Sequence, residues 1–353
     1  MKKIVSLILA AALCLGTCLS LASCKKDGIK IDPDKETYVV GICQLVTHDA
    51  LDSATQGFKD ALTAELAKEG RKVEFKYQNA AGDSNTCTTI VNSFVADDVD
   101  LIMANATAAL QAASNATLSI PVLGTSITEY GVALEIDGFD GVVGGNVSGT
   151  SDLAPLETQA QMMIDTLGLK SGAKIGLLYC SSEPNSQYQV DVVKAYLADK
   201  GYDCKDYKFT DSNDLQSIVT NAADNVDAIY VPTDNVAASN TSIINNVCSP
   251  KKIPVFAGEE ATCSGCGYAT LSISYENIGR KTGEMAAEIL LGKKNISDMK
   301  IEYDASPVKK YNSSVCENLG IDTNTLKEKG YTEELYFFTG DASYSICISV
   351  ISA

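Results

Sequence analysis

Carboxylates at the ends of apolar runs are the residues of this chain with the most evident chemistry. Asp234 closes the run Asp227-Ala-Ile-Tyr-Val-Pro-Thr, and Glu259-Glu260 follow Ile253-Pro-Val-Phe-Ala-Gly258. Glu183 stands in Ser181-Ser-Glu-Pro-Asn-Ser186, directly after the apolar stretch ending at Cys180. An acid set against an apolar strand needs a partner, because an unpaired buried charge is costly. A bound ammonium group is one such partner. A second group of strand ends is neutral: Gln44 to His48, Gln78-Asn79, Asn105-Ala-Thr107 and Thr125-Ser126. Hydroxyls and the N–H groups of helix N-termini suit a carboxylate. The two groups together match the two ends of a small zwitterion. For Ser84, Ser186 and Asn213, helix capping is the simpler reading.

Other chemistries find little support. His48 is the only histidine and has no evident nucleophile to serve, and no Gly-x-Ser-x-Gly elbow occurs. A site-lining or structural role is therefore expected of it before a catalytic one. Cys263-Ser-Gly-Cys266 is the only close cysteine pair outside the leader, and no second pair or histidine lies at zinc-ligand spacing. Set in a Gly-rich loop, it is expected as free thiols or a local disulfide, with redox catalysis ranking last. Cys43 and Cys180 fall in expected buried strands and read as small core residues. The glycine-dense stretch from Gly138 to Gly149 matches no phosphate-loop spacing. No cofactor, metal or enzymatic activity is expected. The balance of 45 acidic to 28 basic residues, net charge −17, argues against a nucleic-acid partner.

The elements that must position these groups repeat. Asp100-Leu-Ile-Met-Ala-Asn-Ala-Thr107, a helical run and Ile120-Pro-Val-Leu-Gly124 are echoed by Asp227 to Asp234, a helical run and Ile253 to Gly258. Strands alternating with helices imply parallel, doubly wound sheets. The expected fold class is α/β: two Rossmann-like lobes joined by a multi-strand hinge. The carboxyl ends of their strands face a shared cleft, where such folds hold ligands. Residues 38–148 with 272–298 are expected as lobe one, and 149–271 with 299–325 as lobe two. The Gly-rich segment from Gly141 to Asp152 reads as the first crossing. Tyr38, Tyr130, Tyr188 and Tyr275 are candidates to stack on an apolar ligand group.

Residues 1–23 have the basic start, uncharged apolar run and small-residue end of an export signal. An uncleaved membrane anchor is the alternative, since the run is just long enough to span. Residues 24–37 read as a tether, and 326–353 as an extension with no counterpart in the two-lobe scheme.

Several stretches resemble the tryptophan/tyrosine-type substrate-binding proteins of ABC transporters. They are Val40-Gly-Ile-Cys-Gln-Leu-Val-Thr-His-Asp-Ala-Leu-Asp52, Tyr77-Gln-Asn-Ala-Ala-Gly-Asp83, Gly145-Asn-Val-Ser-Gly-Thr-Ser-Asp-Leu153, Tyr179 to Ser186, Tyr230-Val-Pro-Thr-Asp-Asn235 and Phe256-Ala-Gly-Glu-Glu260. The resemblance runs in order over residues 38–325. It departs at His48-Asp-Ala-Leu-Asp52, where the family form is His-Pro-Ala-Leu-Asp, at the Cys263–Cys266 loop, and beyond Tyr331. It implies a type I periplasmic-binding-protein fold and hinge closure on an amino acid, most simply an aromatic one. An ABC permease with its ATPase would be the partner. The implied ligand residues are Gln44, Thr107, Thr125, Ser126, Glu183, Asn185, Ser186, Asp234, Asn235 and Glu260, with Asp234 or Glu260 expected to hold an ammonium. Leu21-Ala-Ser-Cys24 resembles a bacterial lipobox, which implies lipid on Cys24 and anchoring at the outer face of the cytoplasmic membrane. A nucleoside-binding lipoprotein and a surface sensor without a transport role are the alternatives.

Overall fold

Apolar runs become strands, and the amphipathic runs between them become covering helices. The computed structural model describes residue 29, residues 31–304 and residues 306–333. The leader, Cys24, Cys347 and the segment from 334 onward lie outside the described residues.

The first sheet is built from β1 (Thr37–Gln44), β2 (Lys72–Asn79), β3 (Leu101–Asn105), β4 (Val122–Ile127) and β5 (Val147–Ser151), all parallel. Helices α1 (Asp49–Lys68), α2 (Ser84–Ala96), α3 (Thr107–Ala116) and α4 (Tyr130–Ala133) alternate with them. β3, β4 and β5 are buried throughout, as strands covered on both faces must be, whereas β2 at the edge stays largely accessible.

The second sheet repeats the plan with β6 (Lys174–Cys180), β7 (Asp203–Phe209), β8 (Ala228–Val231), β9 (Val255–Ala257) and β10 (Ala269–Ser272). Its helices are α5 (Leu156–Leu167), α6 (Pro184–Asp199), α7 (Ser212–Ala223), α8 (Asn235–Ser239), α9 (Thr241–Lys251) and α10 (Glu260–Gly265). The chain then returns to lobe one as α11 (Tyr275–Leu290) and β11 (Glu302–Tyr303), which extends the first sheet beside β5. It crosses once more to β12 (Val308–Tyr311), antiparallel to β10, then α12 (Ser313–Leu319), α13 (Thr323–Glu328) and the short β13 (Thr332–Glu333). The strand orders are β11-β5-β4-β3-β1-β2 and β13-β12-β10-β9-β8-β6-β7.

The sequence echo is a geometric one. Asp100 accepts from Val39 N at 2.7 Å, and Asp227 accepts from Lys174 N at 2.8 Å. The N–H of Ile102 donates to Pro121 O, and that of Ile229 to Pro254 O, both at 2.9 Å. Each aspartate ties the start of its strand to the neighbouring strand in the same way.

The expected lobe boundaries need correcting. Residues 149–151 belong to β5 in the first sheet, and so do Glu302 and Tyr303, which were assigned to lobe two. The chain therefore crosses at 152–155, at 273–274 and between Tyr303 and Val308. The Gly-rich stretch contains a strand because β4 and β5 approach very closely. Gly149 has φ +147°, and a Cβ there would run into the Gly124 carbonyl and the Tyr130 hydroxyl. The expected tether also packs in part, since Ile31 lies against the lobe-one core and Pro33 against Gly292. Leu326 and Tyr331, placed in the expected extension, belong to the lobe-two core.

Helices α1 and α11 cross at backbone contact. A Cβ on Gly279 would enter the Ala54 backbone, and one on Gly283 would lie 2.6 Å from Phe58 O. This crossing fixes the returning helix to lobe one and so sets where Tyr275, its first residue, stands.

Candidate functional site

Between the carboxyl ends of the two sheets lies a narrow cavity. Its lobe-one side carries His48, Leu51 and Ser126; its lobe-two side carries Asn185, Thr233, Asp234, Asn235, Ala238 and Glu259; Asp152 stands at one crossing and Tyr275 directly after another. His48 Nε2 lies 3.3 Å from Asn235 Oδ1, a polar contact that bridges the lobes. Burial lowers the pKa of His48, which keeps the imidazole neutral, although Asn235 and the acids around it favour the charged form.

Asn235 is held from behind. Glu183 accepts from Asn235 N and Val236 N at 3.0 Å, from Asn235 Nδ2 at 2.7 Å and from Asn185 Nδ2 at 3.1 Å. A carboxylate receiving that many donors is fully engaged, and it orients the two amides that face the cavity. Asp234 is engaged as well. Its Oδ1 accepts from Ala237 N at 2.8 Å and caps α8, while Oδ2 accepts from Cys180 N at 2.7 Å. Burial and the nearby Glu183 charge raise its pKa. Glu259 caps α10 through Ala261 N and Thr262 N, at 2.5 Å each, and burial raises its pKa too.

Four side-chain atoms of cavity residues are buried without a hydrogen-bond partner: His48 Nδ1, Ser126 Oγ, Asp152 Oδ1 and Asn185 Oδ1. Buried polar atoms are normally satisfied, so these four make the cavity the candidate site for a polar ligand; Asn105, Tyr207, Thr262 and Thr270 carry further such atoms away from it. Ser126 also has φ +57° at the end of β4. A serine in that region stores strain of about 1–3 kcal/mol, which is often kept where a site needs it.

The residues expected from the sequence divide into three groups. Ser126, Asn185, Asp234 and Asn235 line the cavity. Glu183 and Ser186 stand behind it, Ser186 donating to Thr233 O at 3.4 Å. Gln44, Thr107 and Thr125 are buried within lobe one and do not line it. Thr55 Oγ1 donates to Gln44 Oε1 at 2.7 Å, and Thr125 Oγ1 pairs with Thr150 Oγ1 at 3.2 Å. Glu260 is a correction. It pairs with Lys310 at 2.6 Å outside the cavity, and its neighbour Glu259 turns inward instead. Of the candidate stacking tyrosines, only Tyr275 lines the cavity. Tyr38 and Tyr130 are core residues whose hydroxyls donate to backbone carbonyls. Asp152 escaped sequence reading because it lies in a Gly/Ser/Asn stretch that showed no strand. The cysteine pair is poorly placed for thiol chemistry. Both residues are buried, Cys266 is a free thiol, and burial raises its pKa well above the ordinary value, which disfavours the reactive thiolate.

Two doubly wound lobes, three crossings and a polar cleft between strand ends define a solute-binding protein with the type I periplasmic-binding-protein fold. Residues 39–329 match the model of the ABC transporter substrate binding protein family, and the chain belongs to that family. It is 36% identical over 301 residues to a tyrosine-binding protein of Clostridioides difficile strain R20291, covering 83% of this chain and 85% of that one. It superposes with TM-score 0.76 and 31% identity on a Streptococcus pneumonia ABC domain solved with L-Trp, covering 84% of this chain and 99% of that one. With the ligand-free, open form of an adhesive substrate-binding protein from Clostridium difficile the TM-score is 0.63 at 33% identity, over 84% and 99%. The fit to the complex is better than the fit to the open form, at similar identity, and the His48–Asn235 contact spans the two lobes.

Proposed function

We propose that the cleft binds one small zwitterion, an aromatic amino acid, and that the chain delivers it to an ABC permease. The observation that carries this is the presence of four unpartnered buried polar atoms on residues that line one cavity. Acceptors from Asp152 and Asn185 suit an ammonium, and the Ser126 hydroxyl suits a carboxylate. Leu51, Ala238 and the ring of Tyr275 supply apolar surface for a side chain. The aromatic preference draws support from the tyrosine-binding relative and the L-Trp complex. A purine sandwich finds less support, because Tyr275 is the one aromatic residue among those lining the cavity. Binding and release suffice for this role, with no bond made or broken. The lipobox-like Leu21-Ala-Ser-Cys24 supports export and a lipid anchor on the outer face of the cytoplasmic membrane.

Thermal melts of the chain from Cys24 onward, run against amino acids, nucleosides and sugars, test the ligand class. A ligand at about a hundred times its Kd adds roughly 2.7 kcal/mol of stability. Upward shifts confined to aromatic amino acids are expected; shifts with nucleosides or sugars alone would overturn the reading.

A further inference from the structure

Four buried carboxylates surround or support the cavity, and three are committed to the protein. Glu183 takes the N-terminus of α8 and two amides, Asp234 takes two backbone N–H groups, and Glu259 takes two more. Asp152 differs. It is only 3% exposed, its Oδ2 accepts from the Tyr275 hydroxyl at 3.0 Å, and its Oδ1 has no partner. Burial pushes its pKa up to about 6; the Thr128 and Tyr275 hydroxyls offset part of that, and Glu259 adds to it. An ionised Asp152 in the ligand-free protein is therefore a buried charge awaiting a counter-charge.

We propose that Asp152, oriented by Tyr275, is the counter-ion for the ligand's ammonium group and sets selectivity for amino acids over their deaminated analogues. The proposal rests on the amino-acid reading of the cleft. Asn185 Oδ1, also unpartnered and lining the cavity, is the second acceptor. The position of Asp152 matters as much as its charge. It opens the crossing at 152–155, and Tyr275 begins α11 directly after the crossing at 273–274. The ammonium thus meets a carboxylate on a connecting segment, so the charge of the ligand bears on the hinge itself. The hydrogen bonds of Asp234 are already filled from its own lobe, which leaves it the role of shaping α8.

Calorimetric titration with L-tyrosine and with 3-(4-hydroxyphenyl)propionate, which lacks only the amino group, tests the assignment. Wild type should prefer L-tyrosine by about 100-fold, the scale expected for a desolvated charge pair. Asp152→Asn keeps an oxygen for Tyr275 and should erase most of that preference by weakening L-tyrosine alone, while Glu65→Gln, on the outer part of α1 where it pairs with Lys68, should retain it. A preference that survives Asp152→Asn overturns the assignment and leaves the cleft reading intact. So does a wild type that binds both compounds equally. A wild type that binds neither these compounds nor L-tryptophan overturns the cleft reading and this assignment together. Should Asp152→Asn fail to give a cooperative melt, Tyr275→Phe carries the test. A preference reduced several-fold supports the assignment, and an unchanged one overturns it.

Discussion

Glu183 shows how much of a binding site consists of residues that need not touch the ligand. Its oxygens receive Asn235 N, Val236 N and two side-chain amides, so it fixes the face that α8 and Asn185 present to the cavity. Glu183→Ala strands those donors in a buried place. It should cost about 2–4 kcal/mol in urea unfolding, as well as weakening ligand binding. Asp152 acts in the opposite sense. Its pKa is raised from 3.8 to about 6, so the folded state holds its proton more tightly than the unfolded chain does. The stability this confers is complete below pH 3.8 and is lost as pH rises through about 6. In the absence of ligand, the stability of wild type minus that of Asp152→Asn should fall by roughly 2–3 kcal/mol between pH 4 and pH 7, given 1.36 kcal/mol per pKa unit. A flat difference in melts across that range would count against a buried, ionising Asp152. Both roles were partly hidden in the sequence. The type and strand-end position of Glu183 could be read, but its engagement with another helix could not. Glu259 and Glu260 are adjacent and chemically alike, and only the start of α10 decides that one caps inward while the other meets Lys310.

At the scale of elements, the crossing of α1 and α11 decides where the hinge and Tyr275 lie. Glycines at 57, 279 and 283 let the two backbones meet. Gly279→Ala places a methyl group in the Ala54 backbone, so the helices must separate. A loss of about 1–3 kcal/mol is expected, the usual range for overpacking, read as a lower urea midpoint with little change in slope. The same substitution at Gly320, at φ +73° with open space around the site, should cost less, about 1 kcal/mol. Alternating apolar runs made most strands and helices legible, because strands covered on both faces must be apolar. β5 was not legible. Its sequence, Val-Ser-Gly-Thr-Ser, is buried without being apolar, and it pairs with β4 through a glycine contact that composition does not announce. β11, two residues long, carries too little pattern to be assigned to a sheet.

The whole molecule is a duplicated scaffold with an asymmetric site. Asp100 and Asp227 perform one structural task in both lobes, while the following strand ends diverge: Thr107 sits buried in lobe one, whereas Asp234 and Asn235 face the cleft. The contact between His48 and Asn235 joins these unlike edges. Outside the fold, the lipobox-like leader makes a separate prediction. In a host that processes bacterial lipoproteins, the wild-type chain should fractionate with membranes, and Cys24→Ala should release it or leave it uncleaved. Wild type found only in the soluble fraction would refute the anchor. That the cleft is an aromatic amino-acid site is the proposal everything else depends on, and the composition offers a direct way to measure it. The chain has no tryptophan, so emission excited at the red edge of indole absorption comes from added L-tryptophan alone. Titrating the protein into L-tryptophan should raise the ligand's fluorescence anisotropy to saturation at one site per chain, with excess L-tyrosine reversing the rise. Anisotropy that stays at the free-ligand value at millimolar protein, with no competing heat from L-tyrosine, would contradict it.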